Sequence, residues 1–554
     1  MTVKKLLSAS ILLTLLAALP ASAAFDPGAY GVPKVKDLYL VILRDPDAQL
    51  LALEGGKIDM LSDLARPVDI AALSKNPAVD MSLASGFHAF FLGFNARTFP
   101  WSEAELRRAA CQAIPRERIV RDLFSGYAEP LATYLPPVSP YFEPGVTTYA
   151  YDPAAAAKRL ADAGWTKGGD GVLVSPDGRA VPPQKILSPT ASVAPTTTEI
   201  AVRAAEALTS IGIPTTAEPM DFSTMLARLD KRNFGMYVMA WSMGKDPDSL
   251  YSFYSSKMDV PGGYNLSGVQ DTALDDVLDR LKFAPDGTAA AAAASEAQKM
   301  LSDLVPAVPL YSRYSISAIR KGWKNVFTSE RTTADNLWTL LAMEPESGPM
   351  RPLYLAQTDE PRALSPFTST TAYDWQILGM IYDGLMASDP ETLEDMPWLA
   401  TSWSVSDEEG PEGMRTALAF TLREGVVWQD GRPFTSADAA ATIEFLRKNE
   451  VPRYYDSVMH VEAIETPDDH TLKVTMKNRS FWHLHGIGGL PIFPKHVLET
   501  VKEWRTWLPA GEKSPDDQTL TGLVGTGPFV FREYRPGEYV RMTANETFWL
   551  GLGR

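Results

Sequence analysis

The chain has 554 residues, of which 45% are apolar and 22% are charged, and its formal net charge is −16 at pH 7. A chain of this length is too long for one compact core and predicts two or three domains of a soluble globular protein. The acidic excess repels phosphate backbones and anionic lipid surfaces, which argues against nucleic-acid binding and against electrostatic attachment to a membrane.

The first 23 residues have the three parts of a secretory leader. Lys4 and Lys5 form a basic start, residues 6–19 form an apolar run, and the small residues at 21–23 predict cleavage after about Ala23. The run is shorter than the ~20 apolar residues of a membrane-spanning helix. No cysteine lies near the cleavage site, so we expect an exported, periplasmic protein without a lipid anchor.

The first half of the mature chain alternates strand-like and helix-like segments. Apolar runs predict strands at 38–43, 87–94 and 236–241. Helical spacing of apolar residues predicts helices at 48–53, 102–114, 116–123, 153–163, 199–210, 273–281 and 289–301. Thr288 is the predicted N-cap of the last helix. Cys111, the only cysteine, lies on the second of these helices and is predicted to be buried and structural.

The pattern restarts after residues 344–351, where two prolines and a glycine predict a linker. A strand is predicted at 353–357 and a helix at 375–386, followed by strands at 403–405, 417–422 and 471–476. Strands that alternate with helices in this way predict α/β lobes with mixed sheets.

Several motifs of the second half follow the order and spacing of one known family. They are Tyr-Asp-Gly-Leu at 382–385, Pro-Trp-Leu-Ala-Thr-Ser-Trp at 397–403, Phe-Thr-Leu-Arg-Glu-Gly-Val at 420–426, Trp-Gln-Asp-Gly-Arg-Pro-Phe at 428–434 and Gly-Thr-Gly-Pro-Phe at 525–529. They resemble the N-terminal half of the family 5 extracellular solute-binding proteins, the peptide- and nickel-binding receptors of ABC importers. The Asp-Gly pair within 428–434 also predicts a tight turn.

The first half of the chain resembles the C-terminal half of the same family. The matching segments are 94–95, 107–116, 151–165, 241–248 and 264–268, and residues 35–59 resemble the family segment that comes directly after the one matched by 525–549. The resemblance therefore implies a circularly permuted order, with 344–351 bridging the former ends and with Phe25 and Arg554 close together. Two alternatives remain: joined fragments of neighbouring genes, and a tandem duplication trimmed at both ends.

The resemblance implies an α/β, two-lobed periplasmic-binding-protein fold of type II, similar to the large cluster C members, with mixed sheets and an extra small domain, in circularly permuted order. Lobe I would comprise residues 25–94, 334–394 and 524–554. Lobe II would comprise residues 95–333, and the small appended domain residues 395–523.

The resemblance also implies where the ligand lies. Trp241, Ser242, Met243 and Gly244 match the family segment whose backbone follows the ligand. In the family's peptide receptors an aspartate three residues after this tryptophan holds the ligand's α-ammonium group, but here that position is glycine. Asp246 could replace it through a one-residue gap, and the alternative interpretation of the stretch is a turn and helix cap.

Further residues of the implied cleft come from other segments. Glu360, Arg362 and Ala363 match the family's first-strand segment, where the glutamate could pair with a ligand cation and the arginine with a carboxylate. The alternative there is a solvated turn. The remaining candidates are Phe222, Asn95, Tyr264 and Asn265.

His483 and His485 form a His-x-His pair that, on a strand, would face one side and could hold a metal or haem. No cysteine or acidic cluster adjoins them in sequence, so we expect a structural or solvent-facing pair, with no metal and no cofactor. No nucleotide-binding loop, nucleophile elbow or zinc-protease motif occurs, so no catalytic residue is predicted and the chain is not expected to be an enzyme.

The function that the resemblance implies is that of a periplasmic binding receptor, expected to be monomeric, which delivers peptides or similar small polar solutes to an ABC importer's membrane permease. Within this class the alternatives are a nickel chelate, haem, glutathione or an oligosaccharide as ligand. From other classes, the alternatives are a secreted hydrolase on the same scaffold and a holding chaperone for exported proteins.

Overall fold

The computed structural model describes residues 25–192, 194–260, 263–411 and 413–552 of the chain. The predicted leader at 1–23 and the last two residues lie outside this part. Within the described residues, no helix is both long and apolar enough to cross a membrane.

The described residues form strands and α-helices that are numbered in chain order. The strands are β1 (Asp37–Ile42), β2 (Met60–Leu61), β3 (Val79–Phe94), β4 (Ala128–Pro130), β5 (Thr166–Lys167), β6 (Leu173–Val174), β7 (Gln184–Pro189), β8 (Thr215–Met220), β9 (Met236–Ser242), β10 (Ala307–Arg320), β11 (Trp323–Lys324), β12 (Glu344–Pro345), β13 (Leu353–Gln357), β14 (Met386–Ser388), β15 (Asp395–Pro397), β16 (Ala400–Gly410), β17 (Gly413–Leu422), β18 (Val461–Asp468), β19 (Thr471–Met476), β20 (Phe529–Arg535) and β21 (Tyr539–Ala544). The α-helices are α1 (Pro46–Glu54), α2 (Pro67–Leu73), α3 (Ala104–Ala113), α4 (Arg116–Phe124), α5 (Pro153–Asp162), α6 (Pro195–Ser210), α7 (Phe222–Asp230), α8 (Asp248–Tyr254), α9 (Thr272–Lys282), α10 (Gly287–Leu304), α11 (Leu337–Ala342), α12 (Ala372–Leu378), α13 (Ser436–Lys448), α14 (Tyr455–Val458), α15 (Trp482–Gly488) and α16 (Lys495–Leu498).

Most strands belong to one mixed sheet, which has 11 strands in the described residues. Its order is β20-β21-β1-β13-β2-β10-β3-β9-β7-β8, with β4 pairing β10 as well. β1 runs parallel to β13, and β7 runs parallel to β8 and β9, whereas β3 is antiparallel to both β9 and β10. The predicted mixed α/β fold class is confirmed.

Two groups of hydrophobic cores divide this sheet into two lobes. In lobe I, which surrounds β1, Leu40, Leu355 and Val540 belong to one buried cluster. In lobe II, which surrounds β9, Ile200 and Val238 belong to a different cluster, formed with the helices of that lobe. The sheet is therefore covered by separate buried clusters around β1 and around β9, as a two-lobed fold requires.

β3 and β10 are the two long strands that pass from one lobe to the other. Their pairing is interrupted twice by register shifts, and one shift lies between Arg313 and Ser315 of β10. Opposite this point, a Cβ atom on Gly86 would lie 2.3 Å from the carbonyl oxygen of Arg313. The backbones therefore approach each other at a bulge that only glycine permits.

A separate four-stranded antiparallel sheet, β16-β17-β19-β18, packs against α13. We refer to residues 395–523, which contain it, as the small unit. Phe420 and Val474 of this sheet lie in the same buried cluster as Leu40 of lobe I. The small unit therefore shares its core with lobe I.

The chain's first and last strands meet in lobe I. β1 pairs antiparallel with β21, where Leu40 faces Val540, and on its other side it pairs with β13, where Leu40 faces Leu355. Near the end of the described chain, a Cβ atom on Gly551 would lie 2.8 Å from a methyl carbon of Val32. The two ends are close together as far as Leu552, and Arg554 lies outside the described residues.

Three of the resemblance motifs converge on the buried carboxylate of Asp383. One oxygen accepts from the indole of Trp398 (2.8 Å), and the other accepts from the hydroxyl of Thr526 (2.8 Å) and the indole of Trp549 (3.1 Å). The neighbouring Gly525 packs so closely that a Cβ atom there would lie 1.8 Å from the carbonyl oxygen of Ile381. One charged side chain thus joins the start of the small unit to the last segment of the chain.

The predicted linker at 344–351 is fastened to lobe I. Glu344 pairs with Lys324 as part of the short ladder between β12 and β11. At the linker's end, Arg351 donates to the Asp59 carboxylate (2.8 Å) and lies 4.2 Å from the ring centroid of Trp323. Asp59 is 3% exposed and also accepts from the Trp323 indole and from a main-chain N–H group. The linker therefore ends at a buried polar contact.

Most predicted elements are present with shifted ends, and those at 353–357 and 471–476 have the predicted bounds. Cys111 is buried as predicted. The helix predicted at 375–386 is wrong in length. It ends at Leu378 because the carbonyl groups of Met380 and Ile381 instead accept hydrogen bonds from Phe529 and Gly527.

One further prediction, the N-cap of the last alanine-rich helix, is wrong at the level of local structure. The last alanine-rich helix is capped by Asp286, whose carboxylate accepts from Ala289 N–H (2.8 Å), and not by Thr288. His483 and His485 lie on helix α15 and not on a strand, so the two side chains do not share one face.

We expect Asp59→Ala to lower the free energy of unfolding by about 2–4 kcal/mol, because it leaves an indole N–H, a main-chain N–H and Arg351 without their acceptor. Urea unfolding followed by circular dichroism measures this change. Asp80→Ala is the matched control, since Asp80 makes only a 3.6 Å exposed ion pair with Lys321, and it should change stability by less than about 0.5 kcal/mol. Equal stabilities of the two variants would contradict the role of Asp59.

Candidate functional site

The predicted ligand segment leaves the sheet beside the bulge at Gly86. Ser242, the last residue of β9, pairs with His88 of β3, two residues beyond Gly86. Residues 243–247 therefore run from the sheet towards the space between the lobes, and α8 begins directly after them.

Trp241 belongs to an aromatic group on lobe II. Its ring centroid lies 4.7 Å from that of Phe253 and 5.9 Å from that of Tyr264. Tyr264 is 54% exposed and offers one face of this group to solvent. Aromatic rings in such an arrangement can stack on a planar or apolar part of a ligand.

Met243 and Gly244 have different surroundings. Met243 is buried in the core of lobe II, so its side chain anchors the loop to that core. A Cβ atom on Gly244 would meet only the main-chain nitrogen of Asp246, at 3.9 Å. The space at Gly244 would therefore accept a side chain, and sterics do not account for the missing aspartate.

Asp246 is engaged by a cation from the small unit. Its carboxylate lies 2.9 Å from Nδ1 of His485, and Nε2 of the same imidazole lies 2.8 Å from the Asp395 carboxylate. Lys245 contacts Asp395 as well and donates to the carbonyl of Leu393 (3.2 Å). We call Lys245, Asp246, Asp395 and His485 the interlobe charge cluster, because the first two belong to lobe II and the last two to the small unit.

The cluster keeps His485 protonated. Burial alone would lower the pKa of His485, but the hydrogen bonds to Asp246 and Asp395 outweigh burial and raise its pKa to about 9. Burial would likewise raise the pKa of Asp395, yet His485 and Lys245 hold it below its usual value. Burial and the two carboxylates raise the pKa of the neighbouring Tyr141 to about 12, so its phenol stays neutral.

A cavity of about 200 Å³ lies beside this cluster, between lobe II and the small unit. Lobe II contributes Asp246, Asp248 and Tyr251 to its wall, and the small unit contributes residues that include Asp456, His460 and His485. The cavity has room for about seven waters and is smaller than the ~300–1,000 Å³ of typical drug-sized pockets. It therefore has room only for a small molecule or for one end of a larger one.

Asp248 lines this cavity, and among the described residues it forms no salt bridge. Burial of the carboxyl group first, and then the charge of Asp246, raise the pKa of Asp248 to about 6, and backbone N–H groups oppose these effects in part. The residue as a whole is exposed to solvent. A carboxylate in such surroundings is stabilised by a cation that enters the cavity.

Two of the histidines on the opposite wall, His460 and His483, have lowered pKa values and are neutral, in contrast to His485. Burial, reinforced by His460, lowers the pKa of His483 to about 4, and its Nε2 lies 2.8 Å from the side-chain oxygen of Asn478. Burial and the charge of Lys282 lower the pKa of His460. Lys282 itself lies over the Tyr251 ring and 3.5 Å from Asp456. These neutral imidazoles offer hydrogen bonds, whereas the carboxylates give the cavity its negative charge.

The predicted residues of the other wall do not line this cavity. Glu360 is bound by Arg44 and by the hydroxyl of Tyr534. The main-chain N–H groups of Arg362 and Ala363 donate to the carboxylate of Asp374 on α12, at 2.9 and 3.1 Å. This turn lies on lobe I beside the start of α12.

Of the remaining predicted residues, only Tyr264 joins the Trp241 group. Asn95 and Asn265 are 4% and 0% exposed, and their amide groups donate to main-chain carbonyl groups of their own lobe. Phe222 is 43% exposed at the start of α7. The structure thus brings Trp241, Tyr264 and Asp246 to one side of lobe II and gives the two asparagines local structural contacts.

The interpretation of the 246–248 stretch needs one correction and one addition. The helix cap is not formed, since Pro247 is the N-cap residue of α8 and no side chain caps the helix. No acidic cluster adjoins the histidine pair in sequence, but in the folded chain the carboxylates of Asp246 and Asp395 both contact His485. Asp246 and His485 are 239 positions apart, so no local spacing links them.

Comparison with known proteins assigns the sequence to a family. The family described as "Bacterial extracellular solute-binding proteins, family 5 Middle" matches residues 27–260 and 395–554. Similar curated proteins include di/tripeptide-binding protein 1 of Pseudomonas aeruginosa, 24% identical over 52% of this chain and 51% of that protein. The dipeptide-binding protein of Escherichia coli is 22% identical over 54% of each chain.

Solved structures with a similar fold cover about half of the chain. The oligopeptide-binding protein AppA of Bacillus subtilis, in complex with a nonapeptide, has a TM-score of 0.46 at 21% identity and covers 52% of this chain and 56% of its own. NikA of Brucella suis, in complex with Fe(III)-EDTA, has a TM-score of 0.47 at 21% identity and covers 55% and 61%.

The chain spans between about a third and a half of the length of the curated relatives it matches. The family match extends over both lobes and the small unit, and it includes the segment from Trp241 to Asp248 and all of α15. The chain belongs to the bacterial extracellular solute-binding proteins of family 5.

Proposed function

We propose that this protein is a periplasmic receptor that captures a short peptide, or a similar small polar solute with a positive charge, and presents it to the permease of an ABC importer. The observation that carries the proposal is the Asp248 carboxyl group, which lines the cavity between lobe II and the small unit and, among the described residues, forms no salt bridge. Two relatives are named for binding dipeptides or tripeptides, which supports this ligand class.

The charges around the cavity indicate which of the two aspartates, Asp246 or Asp248, can bind a ligand cation. Asp246 already neutralises His485, so a ligand ammonium group there would have to displace a built-in cation. Asp248 is ionised above about pH 6 and has no such competitor. A cation beside it restores the interaction that burial and the neighbouring carboxylates remove. Asp248 therefore takes the role that the glycine at position 244 leaves open.

Capture is proposed to proceed by closure of lobe II on lobe I and the small unit about the bulge at Gly86. The ligand favours the closed state because only that state contacts it from both sides. The proposed division is residues 25–94, 334–394 and 524–554 for lobe I, 95–333 for lobe II and 395–523 for the small appended domain. The pairing of β1 with β21 and β13 supports the circularly permuted order.

The proposal includes export by the leader at 1–23, a monomeric mature protein in the periplasm and recognition of its closed form by a membrane permease. Glu360 and Arg362 remain candidates for contacts to the far end of a longer ligand on lobe I. A nickel chelate, haem, glutathione or an oligosaccharide remains an alternative ligand, and mass spectrometry of molecules that co-purify with the exported protein separates these from peptides.

We expect Asp248→Asn to weaken binding of a dipeptide with a free amino group by about 10- to 100-fold, because a hydrogen bond to a charged group contributes about 1.5–3 kcal/mol. Isothermal titration calorimetry with Ala-Ala and with N-acetyl-Ala-Ala measures the effect. The acetylated ligand should bind weakly to both proteins. Asp276→Asn, on an exposed face of α9, is the matched control and should leave the affinity unchanged.

Two outcomes would contradict the role of Asp248. One is equal affinity of the Asp248→Asn and Asp276→Asn variants for Ala-Ala, and the other is equal binding of the free and acetylated dipeptides to the wild type.

The affinity for a cationic ligand should depend on pH in a defined direction. A bound cation stabilises the ionised form of Asp248 and lowers its pKa below the ligand-free value of about 6. Binding therefore releases a proton below about pH 6, and the affinity should fall by up to tenfold per pH unit as the pH falls from 6 towards 5. Titrations between pH 5 and 8 test this. The dependence should disappear in Asp248→Asn, and a flat wild-type profile would contradict it.

A further inference from the structure

In the interlobe charge cluster, oppositely charged side chains of lobe II and of the small unit contact each other. Its side chains are shielded, with exposed fractions of 20% for Lys245, 22% for Asp395 and 12% for His485. Ion pairs at this depth are screened less by water and salt than surface pairs are. The cluster can therefore contribute to the balance between open and closed arrangements of the lobes.

A second contact fixes the helix that carries His485. The N–H group of Phe481 donates to the carbonyl of Ala284 (2.7 Å), and the indole of Trp482 donates to the carbonyl of Leu281 (2.7 Å). Both acceptors lie at the end of α9 in lobe II or just after it. The first turn of α15 is thus held against lobe II, and His485 follows within that helix, facing Asp246.

The groups that face His485 can be named for each neighbouring element. Asp246 comes from the loop after β9, with Lys245 and Asp248 beside it, and Asp395 comes from β15. Tyr141 lies near both carboxylates, and its phenol is neutral. The rings of Phe481 and Trp482 pack against the imidazole at 5.1 and 5.6 Å between centroids. The imidazole therefore faces two carboxylates and aromatic rings.

We propose that Lys245, Asp246, Asp395 and His485 form a clasp that holds lobe II against the small unit before any ligand binds, and that protonation of His485 controls its strength. The clasp itself does not depend on the identity of the ligand. Only one consequence rests on the proposed function: the same contacts restrict the entry of a ligand to the cavity that contains Asp248.

The direction of the pH effect follows from the two states of His485. In the closed state Asp246 and Asp395 together raise its pKa to about 9, whereas in an open state His485 loses Asp246 but keeps Asp395 of its own unit, so its pKa is lower than in the closed state. The contribution of the clasp is therefore complete below the open-state pKa and is lost as the pH rises through 9. Each pKa unit between the two states changes the ratio of closed to open molecules tenfold.

The test measures the distance between the lobes in the ligand-free protein. Spin labels are placed at Glu206→Cys on α6 of lobe II and at Glu444→Cys on α13 of the small unit, both of which are accessible to solvent. The native Cys111 is buried and does not interfere with labelling. Double electron–electron resonance then gives the distribution of distances in the wild-type background, in His485→Gln and in Lys245→Met.

We expect both variants to shift the distribution to longer distances at pH 6.5. In the wild-type background, the distribution should shift to longer distances between pH 6.5 and pH 9.5, and in His485→Gln it should not change with pH. Lys257→Met, which removes an exposed ion pair with Asp279 inside lobe II, is the matched control and should leave the distribution unchanged. Circular dichroism confirms that each variant is folded.

Unchanged distances in His485→Gln, or a wild-type distribution that is the same at both pH values, would overturn the clasp. The outcome is separable from that of the proposed function. If the distances change with pH and in His485→Gln but no peptide binds, the clasp is supported and the proposed ligand is wrong. If a peptide binds but the distances do not change, the proposed ligand is supported and the clasp is wrong.

Discussion

The buried carboxylate of Asp383 is the interaction on which lobe I depends. It accepts hydrogen bonds from Trp398, Thr526 and Trp549, so it joins three segments that are far apart in the chain. Burial raises the pKa of Asp383, and the cost of burying this group is offset only while all three donors are in place. The contact positions the segment that leads to β20 and β21, and β21 in turn supports β1.

Local sequence pattern was sufficient where an element is defined by its own residues. The strands at 353–357 and 471–476 have the predicted bounds because alternating or continuous apolar runs specify them. The helix predicted at 375–386 is shorter because its last carbonyl groups bind the segment around Gly527, which is a tertiary contact. Similarly, Trp241 could be assigned to the ligand segment from its motif, whereas His485 could not be assigned to Asp246, because their contact depends on how the small unit packs on lobe II.

Asp246 and Asp248 show how two carboxylates separated by one proline can have different roles. Asp246 turns towards the small unit and is neutralised by the His485 imidazolium. Asp248, at the start of α8, turns to the cavity, where burial and the charge of Asp246 disfavour its ionisation. The first interaction therefore stabilises contact between the lobes, and the second leaves a charge that a ligand can satisfy. Asp246 takes part in the proposed clasp and raises the pKa of Asp248 in the proposed ligand site, so the two proposals predict coupling between them.

The contact between Arg351 and Asp59 bears on the order of the two halves. A linker of eight residues at 344–351 closes a short loop, so its entropic cost is small, and its last residue adds a charged hydrogen bond to the buried Asp59. Asp59 belongs to the half that precedes the linker, and the strand after the linker supplies the Tyr354 N–H group to the same carboxylate. The residues before and after the linker therefore complete one buried polar group, as the proposed permuted order of a single folded unit requires.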